Sequence, residues 1–168
     1  MDHRILLIGY GNIYCRDDGV AFYVINRLRQ RLGLRELQPD EDGLDGLGLG
    51  LDTIMLHQLV PELCAVLADY QTLVFVDAHM GVIPEEVRIV PIHEEYGFHA
   101  VTHHMSPGML LAILRQSHGT APSGYLVSVK GETFDFGLGL SDACRSRVEV
   151  AIQKIVDLTS DHPWSEMA

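Results

Sequence analysis

Arg4-Ile5-Leu6-Leu7-Ile8-Gly9-Tyr10-Gly11-Asn12-Ile13-Tyr14-Cys15-Arg16-Asp17-Asp18-Gly19-Val20 is the stretch on which the reading of this chain turns. Ile5 to Ile8 form a short, continuous apolar run. Gly9-Tyr10-Gly11-Asn12 break it and a helical pattern follows Gly19, so the segment reads as buried strand, tight loop and helix. Val20, Val24, Leu28 and Leu32 recur every four residues with Arg27, Arg29, Gln30 and Arg31 between them, which makes that helix amphipathic. Open α/β domains begin in this way, and the loops at the carboxyl ends of their strands are where such sheets bind ligands. This loop delivers two adjacent carboxylates, Asp17 and Asp18. Backbone N–H groups at a helix start favour negative charge, so one of them can serve as the helix cap, and Asp17 takes that role more readily.

Outward from this segment, apolar runs alternate with helical patterns. Arg35 to Asp52 includes the Gly/Leu-rich stretch Gly43 to Leu51, which reads as a surface loop or a strand edge weakened by glycine. A short strand is expected at Thr53 to Leu56. Val60-Pro61-Glu62 opens a helix whose buried face holds Leu63, Val66 and Leu67. Thr72 to Val76 is the clearest strand and runs directly into Asp77, which places that acid at its carboxyl end. A further strand is expected at Val87 to Ile92. Ser106-Pro107 has the form of an N-cap and first helical residue, with Leu110, Leu111 and Leu114 on the apolar face. Tyr125 to Val129 gives the last strand, and Ser141-Asp142 cap a final helix carrying Val148, Ile152 and Ile155, after which the tail beyond Thr159 is expected to fray. The alternation argues for a single α/β domain over residues 1–168, a three-layer α/β/α arrangement with a mostly parallel, twisted central sheet.

Composition narrows the function. Acidic residues outnumber basic ones, 23 to 12, for a formal charge of −11, which opposes a nucleic-acid backbone or an anionic lipid surface. No apolar run reaches the length of a membrane span and the N-terminus has no cleavable-signal pattern, so a cytoplasmic location is expected. Cys15, Cys64 and Cys144 are far apart and odd in number, which suggests neither a disulfide framework nor a thiolate zinc site. Only Cys15 lies near the candidate site.

Three readings of the chemistry compete. Gly9-x-Gly11 after a strand has a dinucleotide-fold flavour, but Tyr14 stands where a third glycine belongs, and Asp17 and Asp18 would repel a phosphate at that helix start. A nucleophilic hydrolase lacks its Gly-x-Ser-x-Gly, and Ser106 before Pro107 reads as a cap. Asp18, Asp77 and His103 are each expected at a strand's carboxyl end or in the loop beyond it. Two carboxylates and an imidazole suit a divalent transition metal such as nickel, cobalt or zinc. Against this, a strand-end acid commonly caps a loop, a lone histidine is commonly structural, and His79, His99 and His104 compete with His103.

Four motifs in order then resemble one family. Ile8-Gly9-Tyr10-Gly11-Asn12 with Asp17-Asp18-Gly19 is similar to the N-terminal signature of the endopeptidases that mature the large subunit of nickel–iron hydrogenases. Phe75-Val76-Asp77-Ala78 resembles the family's second motif, Thr102-His103-His104-Met105 its histidine motif, and Gly137-Leu138-Gly139-Leu140-Ser141 its last loop and helix start. The resemblance spans about residues 4 to 157. It implies a monomeric, nickel-dependent protease that removes a C-terminal extension from a nickel-loaded large-subunit precursor. Asp18, Asp77 and His103 would then be the catalytic and metal-binding residues, with zinc or cadmium as substitutes for nickel. It selects Asp18 over Asp17 and His103 over His104, and leaves His79 as an exposed loop residue. Leu56 to Glu62 departs from the family's Asp-Gly-Gly segment, in a region that could contact the substrate. The alternative from another class is a non-enzymatic nucleotide- or metal-binding module on a Rossmann-like fold; a third is a self-sufficient zinc peptidase.

Overall fold

A computed structural model describes residues 3–97, 104–120 and 122–168. Its centre is a five-stranded sheet in the order β2-β1-β3-β5-β4, built from β1 (Ile5–Tyr10), β2 (Leu51–Leu56), β3 (Thr72–His79), β4 (Val87–Ile92) and β5 (Ser123–Lys130). β2, β1, β3 and β5 run parallel, and β4 closes the edge antiparallel to β5. The helices are α1 (Val20–Arg31), the single turn α2 (Cys64–Leu67), α3 (Pro107–His118) and α4 (Asp142–Leu158).

The central strands are apolar without interruption because both faces are covered. On one face Leu7, Val74, Val76, Val127 and Val129 pack with Val20, Val24 and Leu28 of α1 and Val148, Ile152 and Ile155 of α4. On the other, Leu6, Ile8, Leu73 and Phe75 pack with Leu63, Leu67, Leu110 and Leu114. Side chains alternate along a strand, so the even positions of β1 and the odd positions of β3 share this second face. At the carboxyl ends the same alternation brings out Tyr10 from β1 and Asp77 from β3, one step beyond the paired residues Gly9 and Val76.

Ser106 and Ser141 cap α3 and α4 as expected, accepting from the N–H groups of Met109 and Cys144. Three expectations are corrected. β2 begins at Leu51 rather than Thr53, because Asp52 anchors it from the buried side, accepting from the Leu47 N–H, the Tyr70 hydroxyl and the Arg4 guanidinium. The helix after Val60 is only a 3-10 turn, Pro61–Leu63, followed by the one turn of α2. The tail does not fray: Pro163–Glu166 form a 3-10 turn whose Trp164 is fully buried among the α1 and α4 side chains, and Thr159 caps back onto Ile155 O. Among the described residues, no helix is long and apolar enough to cross a membrane.

Candidate active site

The carboxyl edge of the sheet opens on a cleft of about 810 Å3 lined by Tyr10, Asn12, Asp18, His57, Asp77 and His104, with Leu59, Val60 and Met105 as apolar walls. Asp18 and Asp77 therefore face one space, Asp18 from the loop after β1 and Asp77 from within β3, two residues before that strand ends. His103 lies outside the described residues, as does His99; His104, the chain neighbour of His103, lines the cleft. Among the described residues no group of three or more His, Cys, Asp or Glu side chains is gathered closely enough to hold a metal ion.

Asp18 is held by the loop itself: the Asn12 N–H donates to its Oδ2 at 2.8 Å. The close approach depends on Gly11, at φ +139°, where an added Cβ would fall 2.2 Å from the Asp18 carbonyl oxygen. Gly11→Ala is expected to cost about 2–3 kcal/mol, the range for a strained backbone position, and to be read out as a lowered denaturant midpoint. Gly9 makes a second close approach, its Cβ position lying 2.6 Å from Ile25 and 2.9 Å from the Met55 sulfur. Gly11 thus shapes the turn, as expected from the sequence, whereas Gly9 lies within β1 and lets α1 and β2 pack closely against that strand.

Asp77 is in a different electrostatic setting. Burial raises its carboxyl pKa most, and neighbouring Asp18 adds to the rise. The Ala78 N–H, which donates to Oδ1 at 2.8 Å, and the Tyr10 hydroxyl offset part of it, leaving the group at about 6. Tyr10 is pushed upward by its own burial and by the charge of Asp77, so it stays a protonated donor beside that carboxylate. A carboxylate held near neutrality in a partly buried cleft is primed to exchange its proton for a cation or to take part in proton transfer.

Asp17 is not the helix cap. α1 starts at Val20 behind Gly19 as N-cap, with no side-chain cap, and Asp17 sits fully buried in the 3-10 turn Arg16–Gly19. Its Oδ2 accepts from the N–H groups of Glu132 (2.7 Å) and Thr133 (3.1 Å) and from Ser141 Oγ (2.7 Å); its Oδ1 accepts from Ser141 N–H at 2.8 Å. Thus the two adjacent acids divide the work, Asp18 turned to the cleft and Asp17 tying the loop after β5 and the start of α4 to the loop after β1. His79 is also corrected: it ends β3, is buried, and its Nε2 pairs with the Glu85 carbonyl at 2.9 Å, holding the loop to β4. Cys15 is half-buried, and its Sγ accepts from Asn12 Nδ2 at 3.3 Å.

His57 and Tyr10 were missed as cleft residues. The available signal for His57 was its place just past the expected strand end at Leu56, inside the stretch that departs from the family's Asp-Gly-Gly segment.

Several solved maturation endopeptidases share this architecture. The hydrogenase maturating endopeptidase HybD from E. coli superposes with a TM-score of 0.66 and 21% identity, covering 94% of this chain and 93% of that one. The nickel–iron hydrogenase maturation protease HycI from Thermococcus kodakarensis gives 0.62 at 17% identity, covering 94% and 92%. A hydrogenase 2 maturation peptidase from a Thaumarchaeota archaeon gives 0.62 at 18%, covering 94% and 98%. This chain has the hydrogenase maturation endopeptidase fold. No protein-family model matches the sequence, and no curated protein matches it significantly. At these identities it is the maturation-endopeptidase fold that is shared, over nearly the full length of both partners. Within that fold the cleft sits where an open α/β sheet places ligands, outside the carboxyl ends of its parallel strands.

Proposed function

We propose that this chain is an endopeptidase that removes the C-terminal extension of a nickel-loaded nickel–iron hydrogenase large-subunit precursor, acting as a cytoplasmic monomer. The observation that carries the reading is the convergence of Asp18, from the turn after β1, and Asp77, from the neighbouring parallel strand β3, on one open cleft in the maturation-endopeptidase fold. Nickel belongs here to the substrate, which holds it through its own cysteines. Asp18 and Asp77 supply oxygen ligands and His103 a nitrogen, a set that suits a divalent ion whose remaining positions the precursor fills. An unloaded precursor offers these residues nothing to grip, so cleavage is tied to metal insertion.

Held by Asp18, Asp77 and His103, the substrate's nickel would supply Lewis-acid chemistry, polarising the scissile carbonyl or activating a water. The Ala78 N–H keeps the Asp77 carboxylate oriented, and the Asn12 N–H does the same for Asp18. The apolar wall of Leu59, Val60 and Met105 gives the extension a surface to lie against.

Incubation with a large-subunit precursor, with and without nickel, followed by mass measurement of its C-terminus, tests the reading. Loss of the extension only in the nickel-loaded sample is expected; an intact C-terminus in both samples overturns it. Cleavage of generic peptides without nickel would favour the zinc peptidase. Tight adenine- or nicotinamide-nucleotide binding without divalent-metal affinity would favour the nucleotide module.

A further inference from the structure

Beside the cleft the structure assigns a docking platform for the folded body of the protein substrate, an inference that rests on the endopeptidase reading. Tyr14, Phe136 and Leu138 are 46%, 88% and 67% exposed, unusually so for large apolar side chains. The backbone gathers them: Cys15 and Gly137 form a parallel β-bridge, the Gly137 N–H donates to Tyr14 O at 2.7 Å, and the Arg16 N–H donates to Gly137 O at 3.0 Å. The loop that carries Phe136 and Leu138 is pinned on both sides by Asp17, through Glu132 and Thr133 before it and Ser141 after it. Outward-facing apolar groups on a backbone tied down this way form a pre-organised surface, which a partner can cover without first ordering it.

Arg16 is the second, independent observation. It is exposed, it lies against Gly137 with Nε 3.3 Å from that glycine's Cβ position, and among the described residues its side chain makes neither an ion pair nor a hydrogen bond. Its φ of +50° is in the left-handed region, where glycine would be favoured. A strained non-glycine residue with an uncommitted guanidinium, set among Tyr14, Phe136 and Leu138, has the composition of an interface hot spot. In a chain of net charge −11 this cation selects a partner surface that is apolar and bordered by a carboxylate.

The platform is continuous with the cleft. Tyr14 lines a smaller hollow of about 270 Å3 together with Gly11 and His57, and both of those residues also line the cleft. A substrate whose C-terminal extension occupies the cleft would set the part preceding that extension over Tyr14, Arg16, Phe136 and Leu138. Area buried there holds the precursor before the metal is engaged.

Steady-state processing of the nickel-loaded precursor by a Phe136→Ser/Leu138→Ser double variant and by Arg16→Gly tests this. For each, KM is expected to rise about tenfold with kcat unchanged, the signature of lost uniform binding. The melting temperature should stay at the wild-type value for the double variant, and at or above it for Arg16→Gly. A KM within about twofold of wild type in both, or a fall in kcat at unchanged KM, overturns the platform. Wild-type processing in that same assay leaves the endopeptidase reading standing, whereas a wild-type protein that does not cleave overturns both.

Discussion

Asp17→Ala is expected to lower folding stability by about 4 kcal/mol, a large loss for a single substitution, measured as a shift in denaturant midpoint at pH 7. The change removes the acceptor for three backbone N–H groups and one hydroxyl, those of Glu132, Thr133 and Ser141, at a fully buried position. Each stranded donor costs about 1–3 kcal/mol, reduced where the cavity admits water. Asp17→Asn should recover only part of the loss. Its single oxygen can keep the three donors at the Oδ2 position, but its amide then meets the Ser141 N–H donor to donor. The pH dependence has a definite sign. Burial alone would raise the Asp17 carboxyl, but the hydrogen bonds outweigh it and hold the group below its ordinary value of 3.8. Its contribution is therefore fully present above that value and lost as pH falls through the lower folded one, so the gap between wild type and Asp17→Ala should close only in strong acid. A loss below about 1 kcal/mol at pH 7 would mean that the tether does not matter to the fold.

The contrast between Asp17 and Asp18 also marks where sequence reading stops. Both acids are adjacent, precede the same helix and obey the same capping rule; only the arrival of Glu132, Thr133 and Ser141 from more than a hundred residues away separates them. The strands β1 and β3 were legible because burial on both faces writes a continuous apolar run into the local sequence. So were the starts of α3 and α4, since a serine cap is a local device. The antiparallel direction of β4 was not, because direction is a property of pairing with β5 and leaves no trace in Val87 to Ile92. The order of the tail rests on one residue, Trp164, whose burial against α1 and α4 is wholly tertiary. His79 was misjudged by one element boundary: β3 continues through it, and strand alternation then turns it inward on the side of Asp77.

Asp77→Asn should separate stability from function more sharply than any other change in the cleft. In the free protein the Asp77 carboxyl is raised to about 6, chiefly by burial and then by Asp18. A folded-state pKa above the unfolded one means that stability is fully present below the unfolded value of 3.8 and declines as pH rises through about 6. Replacing the group by an uncharged isostere removes that decline. Asn keeps an oxygen for the Ala78 N–H and gains an amide that can donate to the Tyr10 oxygen. Asp77→Asn is thus expected to be more stable than wild type at pH 8, by on the order of 2 kcal/mol, and indistinguishable from it near pH 3. Under the proposed function the same change removes an anionic ligand for the substrate's nickel, and processing of the loaded precursor should fall at least a hundredfold. Asp18→Ala and His103→Ala should lose processing to a similar degree, with Asp18→Ala also freeing the Asn12 N–H to water. Unfolding curves at pH 3 and pH 8 beside the precursor-processing assay read both effects. A destabilised Asp77→Asn at pH 8 would refute the account of its buried charge, whereas full processing activity would remove Asp77 from the site. If the variant proves both more stable and inactive, the wild-type protein is holding a carboxylate in a costly place because only the loaded substrate makes that place favourable.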